Sequence, residues 1–175
     1  MSDKRVYLYD STLRDGAQTQ GVDFSPADKM AIARELDSLG IDYIEGGWPG
    51  ANPTDDAFFA EVPKLNRAIL TAFGMTRRAG RSASNDPGLQ AVLVPAAKAV
   101  TLVGKSWDFQ VQVALGVDLD ENVRMIAESV AYAKTKVAEV VFDAEHFFDG
   151  YRANPAYALS CTKAAYEAGA RWVVL

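Results

Sequence analysis

Arg14 and Asp15 are the residues of this chain whose types and spacing can do chemistry. They stand in the string Leu13-Arg14-Asp15-Gly16-Ala17-Gln18, and Lys29 follows eleven residues after the glutamine. The apolar run Val6 to Tyr9 reads as a β-strand that leads straight into this string. It delivers an arginine, an aspartate and a glutamine to the strand's C-terminal end, where parallel α/β proteins carry their chemistry. Arg14 offers a planar fork for a carboxylate or enolate, and Asp15 offers a hard oxygen for a divalent metal. The same pair also reads as a buried structural ion pair, and the two residues alone do not separate these readings.

The elements that must position them alternate regularly. Strands are expected at Val6 to Tyr9, Tyr43 to Glu45, Ala68 to Phe73, Ala99 to Val103, Val137 to Phe142 and Trp172 to Leu175. Helices are expected near Pro26 to Leu39, Asp55 to Val62, Leu89 to Val94, Glu121 to Lys136 and Pro155 to Ala168. Strand, helix, strand repeated in this way predicts βαβ units and a parallel sheet. The first helix is well punctuated: Ser25 caps it, Pro26 suits its first turn, Asp28 completes a capping-box pair and Gly40 ends it. Met30, Ala33, Leu36 and Leu39 recur near the helical period and are expected to face the sheet. Asn154-Pro155 opens the last helix and Gly169 closes it, while 80–88 is the most loop-like run. With no low-complexity segment or linker, residues 1–175 read as part of one domain.

Bulk composition removes several function classes. The chain has 175 residues, 49% of them apolar, enough for one real core. Its 18 basic and 23 acidic side chains give a net charge of −5, which argues against nucleic-acid and polybasic membrane partners. No apolar run approaches a membrane span, and the first residues open into a strand without a secretory segment. The single Cys161 excludes an internal disulfide and fits a reducing cytoplasm; on its helix it reads as a small buried apolar residue.

The string around Arg14 and Asp15, with Lys29, resembles the signature of the isopropylmalate, homocitrate and citramalate synthases, metal-dependent TIM-barrel acyltransferases with carbon–carbon lyase relatives. The runs 44–50 (IEGGWPG), 73–78 (FGMTRR), 104–108 (GKSWD) and 142–151 (FDAEHFFDGY) extend the resemblance, and look like the citramalate synthase branch. The fold this implies is α/β, a (β/α)8 TIM barrel. Such a barrel needs about 250 residues, so the chain is expected to be its N-terminal portion, truncated after about six strands. In the family the chain continues into two more βα units, one carrying a His-x-His pair that binds the metal. Here the only histidine is His146.

The resemblance implies a Claisen-type condensation of acetyl-CoA with pyruvate, giving (R)-citramalate and CoA on the way to isoleucine. It implies a divalent cofactor (Mn, Mg, Zn or Co), a cytoplasmic homodimer at full length, and an inactive fragment when the last units are missing. Chemically such a reaction needs a cation on the oxo-acid oxygens, a charge that stabilises the alkoxide, and a base near the methyl group. By resemblance Asp15 is a metal ligand and Arg14 sits against the substrate oxygens. Glu45, before a Gly-Gly turn, and Glu145, closing the fifth strand, are the catalytic carboxylates. Gln18, Thr101 and Asp143 are expected in the substrate pocket. For Glu45 the alternative is a buried carboxylate that only braces Arg14, and for Gln18 a plain turn hydrogen bond. Lys29 falls on a helix and reads as a structural ion pair. Strand alternation turns His146 away if Glu145 faces inward, which favours a structural or surface histidine. Gly46 and Gly47 allow unusual backbone angles or a close approach. A lyase on the same scaffold and a catalytically silent α/β fragment are the competing readings.

Overall fold

A computed structural model describes residues 5–175, in which strands and helices alternate along the chain. The chain divides into two compact units, one reaching to Phe73 and taking in Val94–Lys98, the other formed by Gly74–Leu93 and Ala99–Leu175. The first holds β1 (Tyr9–Asp10), α1 (Pro26–Leu39), β2 (Tyr43–Gly47), α2 (Pro53–Ala60) and the start of β3 (Ile69–Met75). The second holds α3 (Pro87–Val92), β4 (Ala99–Lys105), α4 (Asp108–Gln110), α5 (Leu119–Lys134), β5 (Glu139–Glu145), α6 (Phe147–Ala153), α7 (Pro155–Glu167) and β6 (Trp172–Val174). Within each unit the strands pair in parallel with their neighbours in sequence. This is the repeat of a (β/α)8 TIM barrel carried through six strands.

The first strand corrects the sequence reading. Ladder pairing covers only Tyr9 and Asp10, against Tyr43 and Ile44, and Val6 and Leu8 stay 79% and 51% exposed. The Asp42 carboxylate takes the Leu8 amide at 3.0 Å, so that donor goes to a side chain instead of the ladder. Helices start earlier than expected at α2 and α3, because Asn52 and Asp86 cap them and Pro53 and Pro87 fill the first turn. The short α6 and the π-helical turn at Val111–Leu115 were not expected.

Helix α1 has the expected bounds, with the Ser25–Asp28 capping box in place and Gly40 in the left-handed conformation. Its buried face is different. Leu39 is 76% exposed, whereas Lys29, Ala33 and Asp37 are buried at four-residue spacing. Two charges can line that face because each finds partners. The Lys29 ammonium pairs with Asp55 and donates to the Gly46 carbonyl at 3.0 Å. Asp37 accepts the amides of Asn66, Arg67 and Ala68 at 2.7, 2.9 and 2.7 Å. Burial opposes the Asp37 charge, but those three amides outweigh it and hold the carboxyl below its ordinary value of 3.8.

In the second unit β4 and β5 run in register from Ala99↔Glu139 to Lys105↔Glu145. Alternation puts Val100, Leu102 and Gly104 on one face, with Val140, Phe142 and Ala144. Gly104 is where the Phe142 ring and Ile126 of α5 close in; a Cβ there would stand 2.7 Å from the ring. The opposite face carries Thr101, Val103 and Lys105 beside Val141, Asp143 and Glu145. Arg77 braces α5, bonding Glu121 at 2.9 Å and Glu128 at 2.7 Å through its side chain and Ser129 at 2.8 Å through its amide. Cys161 is fully buried, as expected, and burial pushes its thiol up. Among the described residues no helix is long and apolar enough to cross a membrane.

Two outcomes follow for stability. Asp37→Ala strands three amides and is expected to cost on the order of 2–4 kcal/mol in chemical denaturation. Because its folded carboxyl titrates below 3.8, this contribution is intact above that pH and is lost as pH falls below it, so the wild-type advantage over Asp37→Ala should shrink in acid. Lys29→Met leaves the Asp55 carboxylate buried without its cation and is expected to cost about 3–5 kcal/mol in the same measurement.

Candidate active site

The turn after β1 is built from its own backbone. Ser11 O accepts the amides of Arg14, Asp15 and Gly16 at 3.1, 2.8 and 3.1 Å. The Asp10 carboxylate accepts the Thr12 amide and hydroxyl at 2.9 and 3.1 Å. Leu13 is driven fully into the core, which anchors the turn and fixes where its neighbour Arg14 emerges. The Arg14 side chain is only 18% exposed, and its Nε donates to Glu45 Oε2 at 2.7 Å. Tyr9 donates to the other oxygen, Oε1, at 2.6 Å. The Arg14 Cζ lies over the Phe73 ring, 3.9 Å from its centroid, and Trp48 meets Phe73 edge-on at 5.5 Å. Arg14 is thus held by an ion pair from one side and an aromatic face from another. Its Nη1 reaches Asp15 Oδ1 at 3.1 Å, and Nη2 has no hydrogen bond among the described residues. That leaves an oriented cationic edge for an oxyanion.

Glu45 is 1% exposed and sits on β2 where the register against β3 shifts between Glu45 and Gly47. The irregularity leads into the loop that α2 caps. Gly47 has φ of 149°, and a Cβ there would stand 2.5 Å from the Asp55 carboxylate carbon. The close approach that the glycines permit is therefore by Asp55, and at Gly46 by the Phe58 ring, also at 2.5 Å. Asp55 gathers the Lys29 ammonium, the Trp48 amide at 2.8 Å and the Asn52 side chain at 2.9 Å. Lys29 is the structural partner expected of it: it clamps the segment that follows Glu45.

Gln18 lines a pocket of about 340 Å³, with Arg14, Phe24, Trp48, Asn52 and Asp55 also on its wall. Its volume falls in the range that takes a small ligand. The turn itself is closed by the Gln18 amide on Asp15 O at 2.9 Å. Asp15 projects outward, its side chain 63% exposed. Among the described residues no three His, Cys, Asp or Glu side chains gather to hold a metal ion. The donors among the described residues do not by themselves make a metal site.

In the second unit Thr101, Asp143 and Glu145 share one sheet face, as the strand pattern predicts. Thr101 is buried and Asp143 half-buried. Glu145 Oε2 takes the Lys105 ammonium at 2.5 Å. His146 leaves the strand in a left-handed conformation, φ 56°, its side chain 43% exposed and its ring 6.1 Å from Trp107. It stands 4.0 Å from Glu145 and 3.7 Å from Asp149, an exposed histidine in keeping with the structural or surface reading. The sequence reading missed Tyr9, Phe73 and Lys105. Tyr9 was legible, since it alternates with Tyr7 on the strand before the Arg14 turn, but its hydroxyl contact with Glu45 spans 36 residues.

Residues 5–175 match the HMGL-like family. The (R)-citramalate synthase of Aquifex aeolicus is 54% identical over 98% of this chain, and the 2-isopropylmalate synthase of Solidesulfovibrio magneticus is 31% identical over 96% of it. The chain spans 33% and 32% of those two relatives, about a third of their length. The hydroxymethylglutaryl-CoA lyase of Pseudomonas aeruginosa superposes over 97% of this chain and 57% of its own, with a TM-score of 0.72 at 19% identity, a likeness of fold. With a family match across nearly its whole length, the chain belongs to the HMGL-like family.

Proposed function

We propose that this chain forms part of the catalytic barrel of an acyltransferase that condenses acetyl-CoA with pyruvate to give (R)-citramalate and CoA. The observation that carries the reading is the Arg14 guanidinium, fixed on Glu45 and Phe73 with one edge uncommitted. The higher identity to the relative named (R)-citramalate synthase, 54% against 31% for the one named 2-isopropylmalate synthase, supports pyruvate over a branched oxo acid.

In this reaction the acetyl methyl gives up a proton and its carbon bonds to the keto carbon of pyruvate. The keto oxygen takes up the electron pair and becomes an alkoxide, then a hydroxyl. Water then cleaves the thioester and CoA leaves as the thiol. Arg14 faces the keto oxygen and stabilises the charge that develops there. Glu45, with Tyr9 on its second oxygen, fixes the guanidinium so that no reorganisation is needed as that charge appears. Glu145, Asp143 and Thr101 act on the substrate side, and Gln18 orients substrate in the pocket it lines. If a divalent ion is bound, Asp15 is the residue of this chain that would offer it a carboxylate, and the ion would supply charge to the oxo-acid oxygens. A cytoplasmic role in isoleucine formation agrees with this chemistry.

Thiol release from acetyl-CoA by the full-length protein is expected to require pyruvate. Faster turnover with 2-oxoisovalerate or 2-oxoglutarate would assign the protein to a sister synthase, and cleavage of hydroxymethylglutaryl-CoA would make it a lyase. The residues 1–175 alone are expected to show no turnover, and pyruvate-dependent activity of that piece would contradict this. Arg14→Lys, which loses the planar fork and the Glu45 contact, is expected to lower kcat/KM by on the order of 10²- to 10³-fold. Rates within threefold of wild type would remove Arg14 from the mechanism.

A further inference from the structure

We propose that Lys105 is a positioning residue for Glu145: its ammonium holds the carboxylate in one rotamer at the ends of β4 and β5. The assignment rests on the substrate-side role of Glu145 proposed above. Lys105 and Glu145 are register partners and the last residues of their strands. Their side chains meet at 2.5 Å while remaining only 15% and 33% exposed.

Both ends of the pair are fixed from beneath. The Lys105 carbonyl accepts Asn122 Nδ2 at 2.8 Å, and Asn122 is wholly buried, with the Tyr157 hydroxyl 2.8 Å from the same nitrogen. The Ser106 amide donates to the Glu145 carbonyl at 3.2 Å, locking the two strand exits together. Gly150 of α6 makes this possible, because a Cβ there would lie 2.4 Å from the Ser106 carbonyl oxygen. On the other side of the carboxylate, Oε1 faces the His146 imidazole at 4.0 Å, with Asp149 on the far ring nitrogen.

A free glutamate has three rotatable bonds and spreads its carboxylate over several rotamers. Here the lysine holds one oxygen, and the backbone beneath is clamped twice. A partly exposed pair of this kind contributes little to global stability, so so much anchoring beneath it points to orientation as its use. Lys105 acts through Glu145 and is not assigned contact with substrate.

The test is steady-state CoA release by the full-length protein and its variants Lys105→Met, Lys105→Gln, Lys105→Arg, Glu145→Gln and Lys105→Met/Glu145→Gln. Lys105→Met and Lys105→Gln are expected to lower kcat by on the order of 10- to 100-fold with an unchanged thermal midpoint, and Lys105→Arg to restore most of the rate. The double variant is expected to be no slower than Glu145→Gln alone, because the lysine then has nothing to position. Wild-type rates in Lys105→Met, losses that multiply in the double variant, or loss of rate only in proportion to unfolding overturn the proposal while leaving the condensation reading intact. A wild type without pyruvate-dependent CoA release, or Glu145→Gln at full rate, overturns the reading beneath it and this assignment with it.

Discussion

The ion pair between Arg14 and Glu45 organises the first unit. Glu45 is almost completely buried, and a carboxylate taken out of water is costly unless a cation and hydrogen bonds compensate it. Arg14 supplies the cation and Tyr9 a hydroxyl, so the charge at the end of β2 depends on residues from β1 and its turn. The dependence is mutual. A guanidinium pinned at Nε and held over the Phe73 ring has lost most of its rotamer freedom.

A second buried pair supports the first without touching it. Lys29 and Asp55 hold the loop after Glu45, and Asp55 also takes the Trp48 amide and the Asn52 side chain. The lysine of the signature therefore works at one remove, by fixing the strand exit from which Glu45 and Trp48 project. Helix α1 brings it there on a face that also buries Asp37, whose three amide partners tie the helix to the approach of β3.

Strand and helix order, the caps at Ser25 and Asn154, and the placement of Glu145 at the end of its strand were legible because each leaves a local mark, a period or a cap residue, whereas β2 runs two residues past Glu45, where it was expected to end. What was not legible depends on contacts distant in sequence. The buried face of α1 reads as apolar until Asp55 and residues 66–68 arrive to neutralise Lys29 and Asp37, so hydrophobic spacing picked Leu39 wrongly. The strand before the Arg14 turn reads as longer than it is because nothing in Val6 to Tyr9 announces that Asp42 will take the Leu8 amide. The pairing of Lys105 with Glu145 follows only from a register that two separate strands adopt.

The packing of Asp55 against Gly47 divides the loop after β2 into a part that can vary and a part that cannot. A side chain at position 47 would enter the space of a carboxylate that already serves a lysine, an asparagine and an amide, and one at position 46 would strike the Phe58 ring. Both glycines are therefore fixed by their surroundings. Variation is better tolerated at Ala51, which lines the cavity beside Arg14 and takes no part in the Asp55 cluster.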